Sequence, residues 1–213
     1  MEVLTPFNPF EGPEIKHILQ TTDSCYFGGE AANIAYNLSL TIKLRGQLNV
    51  NALQLAVDEL IARHESLRSS FSPDGKYINV FSSVFINIDL VDYSQLSVEK
   101  AKEAIHNYTE QDTNTSFDLT KGPLIRFALL KLDEEVYNFT ITAHHIVCDG
   151  WSVGIIMQEI GALYSSKVLH KSHNLPVATP YTAYVTQQEE LKTNGEFERA
   201  ETYWLNLFKG EIP

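Results

Sequence analysis

The chain has 213 residues, of which 16 are Lys or Arg and 27 are Asp or Glu, so its formal net charge is −11. This acidic balance argues against a nucleic-acid-binding surface, which needs clustered basic residues. A hydrophobic share of 44% is that of an ordinary globular chain. Two cysteines are too few for a disulfide scaffold and indicate a reducing compartment, so we expect a cytoplasmic protein.

The first part of the chain shows no regular pattern. It lacks the basic and apolar regions of a signal peptide, and nowhere does the chain contain the roughly 18 apolar residues of a transmembrane helix. Prolines and glycines recur through residues 1–34 without a sustained period. We therefore expect an extended lead-in with loops there.

The next part of the chain alternates between strand and helix patterns. Apolar and polar residues alternate from Tyr36 to Arg45 and predict a half-buried strand, which Gly46 ends. Asn49 then caps a predicted helix that runs to about His64. One short strand precedes a Ser-Pro-Asp-Gly turn at residues 72–75, and two follow it. These three predicted strands comprise residues 67–71, 77–81 and 85–91.

The second half of the chain continues this mixture. Ser97 begins an amphipathic helix, residues 133–135 join two strands into an antiparallel hairpin, and Gly150 opens a strongly apolar helix. Hairpins rather than strict βαβ repeats favour an α/β protein of the α+β two-layer type, with helices mainly on one face of a sheet. The remaining predicted elements are a loop at 116–123, strands at 124–132 and 136–144, and helices at about 181–192 and 196–209.

The segment from Ala143 to Ser152 carries the candidate chemistry. Two adjacent histidines end an apolar strand, Asp149 follows the second by four residues, and a helix begins directly after it. Because side chains alternate along a strand, His144 and His145 are expected to point to opposite sides, so only one can face a given cleft. A histidine between a strand end and a helix N-terminus can act as a base or as a donor to an oxyanion.

Residue types alone leave several interpretations of this segment open. The histidines can be structural residues, and Asp149 can hold a histidine tautomer or pair with an arginine. A metal site is a further alternative, because His144, His145, Cys148 and Asp149 are all possible ligands. The opposed histidines and the lack of a second Cys/His pair count against a metal. Cys148 and Trp151 are expected to lie in the core.

Four segments resemble those of condensation domains of nonribosomal peptide synthetases, and they occur in the same order. Residues 144–152 match the HHxxxDGxS signature, and residues 63–71 resemble RHExLRTxF. Residues 116–126 resemble PFDLxxGPLxR, and residues 203–213 resemble YWxxxLxGxP, which ends the family's N-terminal half. HHxxxD alone is shared with chloramphenicol acetyltransferase and other CoA-dependent acyltransferases, whereas the set of four is more specific. The resemblance runs from about Tyr36 to Pro213.

The resemblance implies a chloramphenicol acetyltransferase-like lobe with a mixed, largely antiparallel sheet. In the family, two such lobes form a V, and the site lies in a tunnel between them. Phosphopantetheine arms of two carrier domains enter the tunnel from opposite ends. The acceptor amine attacks the donor thioester and forms an amide without a covalent enzyme intermediate. The resemblance thus implies carrier domains and neighbouring synthetase domains as partners, no directly bound cofactor and no metal.

By the same resemblance, His145 is the catalytic residue, which takes the amine proton or positions the amine. Asp149 would pair with an arginine of the RHExLR segment, for which Arg68 is the best candidate. Gly150 would permit close backbone approach, and its amide lies at a helix N-terminus that favours negative charge. The supporting residues that the resemblance implies are His144, Asp149, Gly150, Trp151, Ser152 and Arg68.

Two features depart from the family pattern. The family's opening TxAQxxxW motif is deleted or diverged within residues 1–34, and the chain stops at Pro213, where the linker between lobes would begin. We therefore expect residues 35–213 to form the N-terminal lobe, with the C-terminal lobe absent and no activity without it. Two alternatives stay open. One is a non-catalytic carrier-binding or remnant module, and the other is a trimeric CoA-dependent acyltransferase whose neighbouring subunits replace the second lobe.

Overall fold

A computed structural model of the chain describes residues 15–18 and 29–209, which divide into two compact units at residues 178 and 179. Among these residues, no helix is both long enough and apolar enough to cross a bilayer. The strands are β1 (Ile15–Ile18), β2 (Asn37–Arg45), β3 (Ser69–Phe71), β4 (Tyr77–Val80), β5 (Ile88–Asp92), β6 (Ile125–Asp133) and β7 (Val136–His144). The helices are α1 (Gly29–Ala35), α2 (Val50–Arg63), a 3-10 helix (Glu65–Arg68), α3 (Val98–Thr113), α4 (Gly150–Leu169), α5 (Tyr181–Thr193) and α6 (Glu196–Leu207).

The capping residues confirm the predicted helix starts. The side chain of Asn49 accepts a hydrogen bond from the Ala52 amide (3.0 Å) and begins α2. Ser97 begins α3 in the same way, with a longer bond of 3.4 Å from the Lys100 amide. Both side chains satisfy an amide that has no partner within its helix.

The predicted lead-in differs from the structure in two places. Residues 29–35 form helix α1 rather than a loop, and residues 15–18 form β1, which pairs with β4. Neither element carries a run of regular period long enough to predict it, and β1 depends on a partner strand about 60 residues further along the chain. The other predictions for residues 1–28, and the last four residues of the YWxxxLxGxP segment, lie outside the described residues.

The main sheet of the first unit has the strand order β2-β7-β6-β5. β7 pairs antiparallel with both β2 and β6, whereas β5 pairs parallel with β6. This mixed, largely antiparallel sheet confirms the predicted fold class. A smaller antiparallel sheet has the order β1-β4-β3. The second unit contains α5 and α6, which contact each other.

The two faces of the main sheet differ in chemistry. One face packs against α2 and α4 and forms the apolar core, to which Leu60, Phe139 and Leu163 contribute fully buried side chains. The opposite face is more polar, although it also carries the buried Ala128 and Leu130 of β6. There Thr142 and Arg126 both hydrogen-bond to Asp112 at the C-terminal end of α3. Two helices therefore cover the apolar face and one helix contacts the polar face.

The pairing of β2 with β7 places the candidate segment at one end of the sheet. Asn37 lies opposite His144 in this register. One step further along, the amide of His145 donates to the carbonyl of Tyr36 at 2.8 Å. The two chain segments thus remain paired one residue beyond the formal end of β7.

Shortening a buried side chain of α2 should destabilise the chain far more than shortening an exposed side chain of the same helix. Leu60 is completely buried, whereas Leu55 on the same helix is 49% exposed. We expect Leu60→Ala to lower the free energy of unfolding by about 2–5 kcal/mol, because it leaves a cavity. Leu55→Ala should change it by only about 0.5 kcal/mol. Urea unfolding followed by circular dichroism measures both, and equal losses would contradict the described packing of α2.

Candidate active site

The segment after β7 is held by backbone hydrogen bonds on both sides. The amide of His144 donates to the carbonyl of Leu124 at 2.9 Å, and the amide of Val147 donates to the carbonyl of His144 at 3.0 Å. Residues 145–149, which we call the histidine loop, then lead into the first turn of α4. The loop therefore has a fixed strand at one end and a helix at the other.

His144 is a buried, neutral residue behind the histidine loop. Its side chain is completely buried, and its ring lies 6.0 Å from the ring of Tyr36 and 6.3 Å from that of Phe117. Burial, together with the neighbouring charge of His145, lowers the pKa of His144 to about 4. Its Nδ1 accepts a hydrogen bond from the Ile146 amide at 3.2 Å. In the neutral ring the proton therefore belongs on Nε2, and His144 shapes the loop.

His145, in contrast, is exposed. The alternation along β7 thus separates the two imidazoles, as the period of two predicts. The ring of His145 lies 6.4 Å from the ring of Tyr36, and the two planes are nearly perpendicular at 88°. Of the two histidines, His145 is the one that an external molecule can reach.

The structure corrects the predicted pairing of Asp149 with Arg68. The Asp149 carboxylate instead accepts from the Ser152 amide at 2.8 Å and from the Ser152 hydroxyl at 2.6 Å, which makes it the N-cap of α4. These Ser152 hydrogen bonds hold the pKa of Asp149 below its usual range. Arg68 donates to the carbonyl of Phe81 and lies 4.0 Å from the Glu65 carboxylate. The Asp149 carboxylate is thus occupied by hydrogen bonds at the start of its own helix, α4. The Arg68 side chain points towards the segment after β4.

The structure also differs from two further predictions for the start of α4. Trp151 is 82% exposed rather than in the core, because it lies in the first turn of α4 on a side that no described residue covers. A Cβ added at Gly150 would meet no atom within 4 Å, apart from its own helix and chain neighbours, among the described residues. Close backbone approach at Gly150 is therefore not needed within this part of the chain, and the helix start is open.

Cys148 is the buried residue of the histidine loop. Its side chain is buried, as predicted, and burial together with the charge of Asp149 raises its pKa to about 11. The thiolate is therefore scarce near neutral pH. In residues 15–18 and 29–209, no three His, Cys, Asp or Glu side chains are grouped as metal ligands.

A partly buried ionic cluster that the sequence did not indicate joins the C-terminal end of α2 to α4. Glu159 accepts from Arg63 Nε at 2.9 Å and from His64 Nε2 at 2.8 Å. Arg63 also donates to the carbonyl of Pro176 at 2.7 Å. Burial alone would raise the pKa of Glu159, but the hydrogen bonds from Arg63 and His64 leave it below its ordinary value. The cluster fixes the helix that begins at the histidine loop.

Neutralising Glu159 should destabilise the fold in a pH-dependent way. Because Glu159→Gln removes the carboxylate charge opposite Arg63 and His64 but keeps an oxygen that can accept a hydrogen bond, we expect it to lower the free energy of unfolding at pH 7 by about 1–2 kcal/mol. The pKa of Glu159 is lowered by folding, so its contribution is full above the ordinary value of 4.5 and is lost as the pH falls through the lower folded-state value.

Urea unfolding at pH 7 and at successive values below 4.5 tests this, with the exposed Glu103→Gln as the matched control. The two variants should differ strongly at pH 7 and progressively less in acid. If the difference in free energy of unfolding between the two variants is constant with pH, the Glu159 carboxylate does not act through its charge.

Asp149 and Arg68 should act independently of each other. Asp149→Ala removes the acceptor of the Ser152 amide, so we expect faster hydrogen exchange at that amide, while Asp149→Asn should preserve part of its protection. Arg68→Ala should leave this exchange unchanged. In a double-mutant cycle on unfolding, the effects of Asp149→Ala and Arg68→Ala should add. A large coupling energy would restore the ion pair that the resemblance implied.

The chain matches a known family and several known proteins. The model of the Condensation domain family matches residues 29–213. Tyrocidine synthase 3 of Brevibacillus parabrevis is 36% identical over 185 residues, which are 86% of this chain and 3% of that protein. Bacitracin synthase 3 of Bacillus licheniformis is 33% identical over 186 residues, again 86% of this chain and 3% of that protein.

Solved structures show the same fold. The starter condensation domain of the rhizomide synthetase RzmA superposes with a TM-score of 0.80 at 18% identity, over 93% of this chain and 49% of that one. The first condensation domain of the calcium-dependent antibiotic synthetase gives 0.75 at 18% identity, over 93% and 50%. The chain thus spans about half of these solved domains and a few per cent of the curated synthetases. Since the family match covers most of the sequence, the chain belongs to the condensation domain family of nonribosomal peptide synthetases.

Proposed function

We propose that this chain supplies the catalytic histidine lobe of an amide-forming condensation site. The substrates would be a donor acyl thioester and an acceptor amine, each carried on the phosphopantetheine arm of a carrier domain. The observation that carries the proposal is the exposed imidazole of His145, which lies between the end of β7 and the start of α4. The buried His144 and the N-cap residue Asp149 hold the loop that contains it. Membership of the condensation domain family suggests amide formation as the class of reaction.

The proposed reaction needs little covalent chemistry from the protein. The acceptor nitrogen attacks the donor carbonyl, a C–N bond forms, and the C–S bond breaks after a tetrahedral intermediate. His145 would contact the acceptor amine, either taking its proton or orienting it, and the proton ends on the departing thiol. An imidazole can do both near neutral pH. Alignment of two tethered reactants would supply much of the rate.

The start of α4 supports the charge that develops in this reaction. Its first turn directs backbone amides towards the side of the histidine loop, and the N-terminal end of a helix favours negative charge. Gly150 and Trp151 leave this end open among the described residues. Since the Ser152 amide is already bonded to the Asp149 carboxylate, an oxyanion on the tetrahedral intermediate would have to use the amides of Gly150 or Trp151.

The proposed site would need walls beyond those that residues 15–18 and 29–209 supply. The solved condensation domains are about twice as long as the aligned chain. We propose that a second lobe of similar size encloses the substrates and that the chain alone has little activity.

Replacement of His145 should abolish amide formation while an exposed histidine elsewhere is dispensable. We expect His145→Ala to reduce the rate at least 100-fold, the scale of lost general acid–base catalysis. His106→Ala is the matched control, because its side chain is 77% exposed on α3. The assay measures amide product from a donor and an acceptor loaded on separate carrier proteins. It is run with the chain alone and with a condensation domain's C-terminal lobe added.

The outcomes separate the three functions that the sequence left open. Product only with the added lobe, lost in His145→Ala, supports the proposal. Product from the chain alone, together with a trimeric mass in solution, would replace it with a self-assembled acyltransferase. Carrier binding without product in any mixture, from cooperatively folding protein, would replace it with a non-catalytic module.

A further inference from the structure

Among the described residues, the ring of His145 has no hydrogen-bonded group that orients it. In other catalytic arrangements, a third group holds the base in its working orientation. Among residues 15–18 and 29–209, no side chain or backbone group hydrogen-bonds to a ring nitrogen of His145, and the Asp149 carboxylate is occupied by Ser152. Any restraint on the direction of this exposed ring from within this part of the chain must therefore come from contacts other than hydrogen bonds.

Tyr36 already fixes the backbone of His145. Its carbonyl accepts from the His145 amide at 2.8 Å, and its own amide donates to the carbonyl of Asn33 in α1 at 3.2 Å. Asn33 in turn forms two hydrogen bonds of 3.0 Å with the backbone of Phe117. Tyr36 is thus held by the His145 amide on one side and, through Asn33, by the backbone of Phe117 on the other.

The ring of Tyr36 contacts both histidines. It lies 6.0 Å from the buried His144 ring, tilted by 38°, and 6.4 Å from the exposed His145 ring, nearly perpendicular at 88°. Edge-to-face pairs at such distances are favoured because the positive edge of one ring meets the negative face of the other. A contact of this kind would favour one orientation of the His145 ring and would leave both of its nitrogens unused.

We infer that Tyr36 is a positioning residue for the catalytic imidazole. Its aromatic ring, rather than its hydroxyl, holds the ring of His145 in the orientation that faces the acceptor amine. Both nitrogens of His145 then stay available for substrate. This inference rests on the proposed function, since it assigns Tyr36 a role in that same reaction.

Two variants at position 36 test whether the ring sets the rate. Tyr36→Phe keeps the ring, whereas Tyr36→Leu removes it and keeps an apolar side chain of similar reach. With a condensation domain's C-terminal lobe added, we expect Tyr36→Leu to lower kcat about five- to tenfold with the KM of both carrier-bound substrates unchanged. Tyr36→Phe should stay within about twofold of the unmodified chain. Tyr77→Leu, at a tyrosine that is 39% exposed on β4, is the matched control and should have no effect.

A spectroscopic measurement tests the same contact without catalysis. The side-chain CH resonances of His145, observed by NMR in the full chain, should carry a ring-current shift from Tyr36. The shift should persist in Tyr36→Phe and vanish in Tyr36→Leu, while the amide of His145 stays protected from exchange. Protection in Tyr36→Leu also shows that the variant is folded.

The results distinguish this inference from the proposed function. If His145→Ala abolishes product but Tyr36→Leu retains full kcat, the positioning role is overturned and the proposed function stands. If Tyr36→Phe loses as much activity as Tyr36→Leu, the hydroxyl and not the ring is responsible, which also overturns the inference. If His145→Ala retains activity, the proposed function itself fails, and the ring-current shift alone reports on the contact.

Discussion

The antiparallel pairing of β2 with β7 determines where each group of the site lies. In this register Asn37 faces His144, and the next pair brings the Tyr36 carbonyl to the His145 amide. A shift by one residue would exchange the two faces of β7. The exposed histidine would then be buried and the buried one exposed. The apolar core on one face of the sheet, which includes Phe139 and Ile141, prevents that shift.

The site combines a rigid support with an open surface. Behind the histidine loop, His144 is buried and neutral, and Glu159 joins the two core helices through Arg63 and His64. In front of it, His145 and Trp151 are exposed. Support from one side and openness on the other are what a surface needs if its substrates arrive on large carrier domains. The partly buried cluster limits movement of α4, so the helix start keeps its place beside the loop.

Local patterns in the sequence predicted the local structure well. Caps at Asn49 and Ser97, the hairpin of β6 and β7, and the separation of the two histidines all follow from spacing within a few residues. Contacts between distant segments could not be predicted from such local spacing. Glu159 meets Arg63 across 96 residues, and no periodicity marks a carboxylate in an apolar helix as the partner of a particular arginine.

Two errors in the predicted site have the same origin. The ion pair of Asp149 with Arg68 was implied by resemblance, but a carboxylate at the N-cap position finds its acceptor role within three residues. Trp151 was assigned to the core because of its residue type, although its position in the first turn of α4 exposes it. For both residues the helix start determined the environment, and residue type alone was a poor guide. The ring of Tyr36 was missed because its two contacts depend on the strand register.

The distance in sequence between β2 and β7 also affects how the chain folds. Thr41 and Thr140, which contact each other across these strands, are 99 residues apart. Closing so long a loop before any contact rewards it makes this pairing an intrinsically slow event. The histidine loop itself is local, yet its imidazole acquires its aromatic neighbour only when the strands have joined. The environment of His145 is therefore a late reporter of folding, and partly folded chains would contain the whole signature without an assembled site.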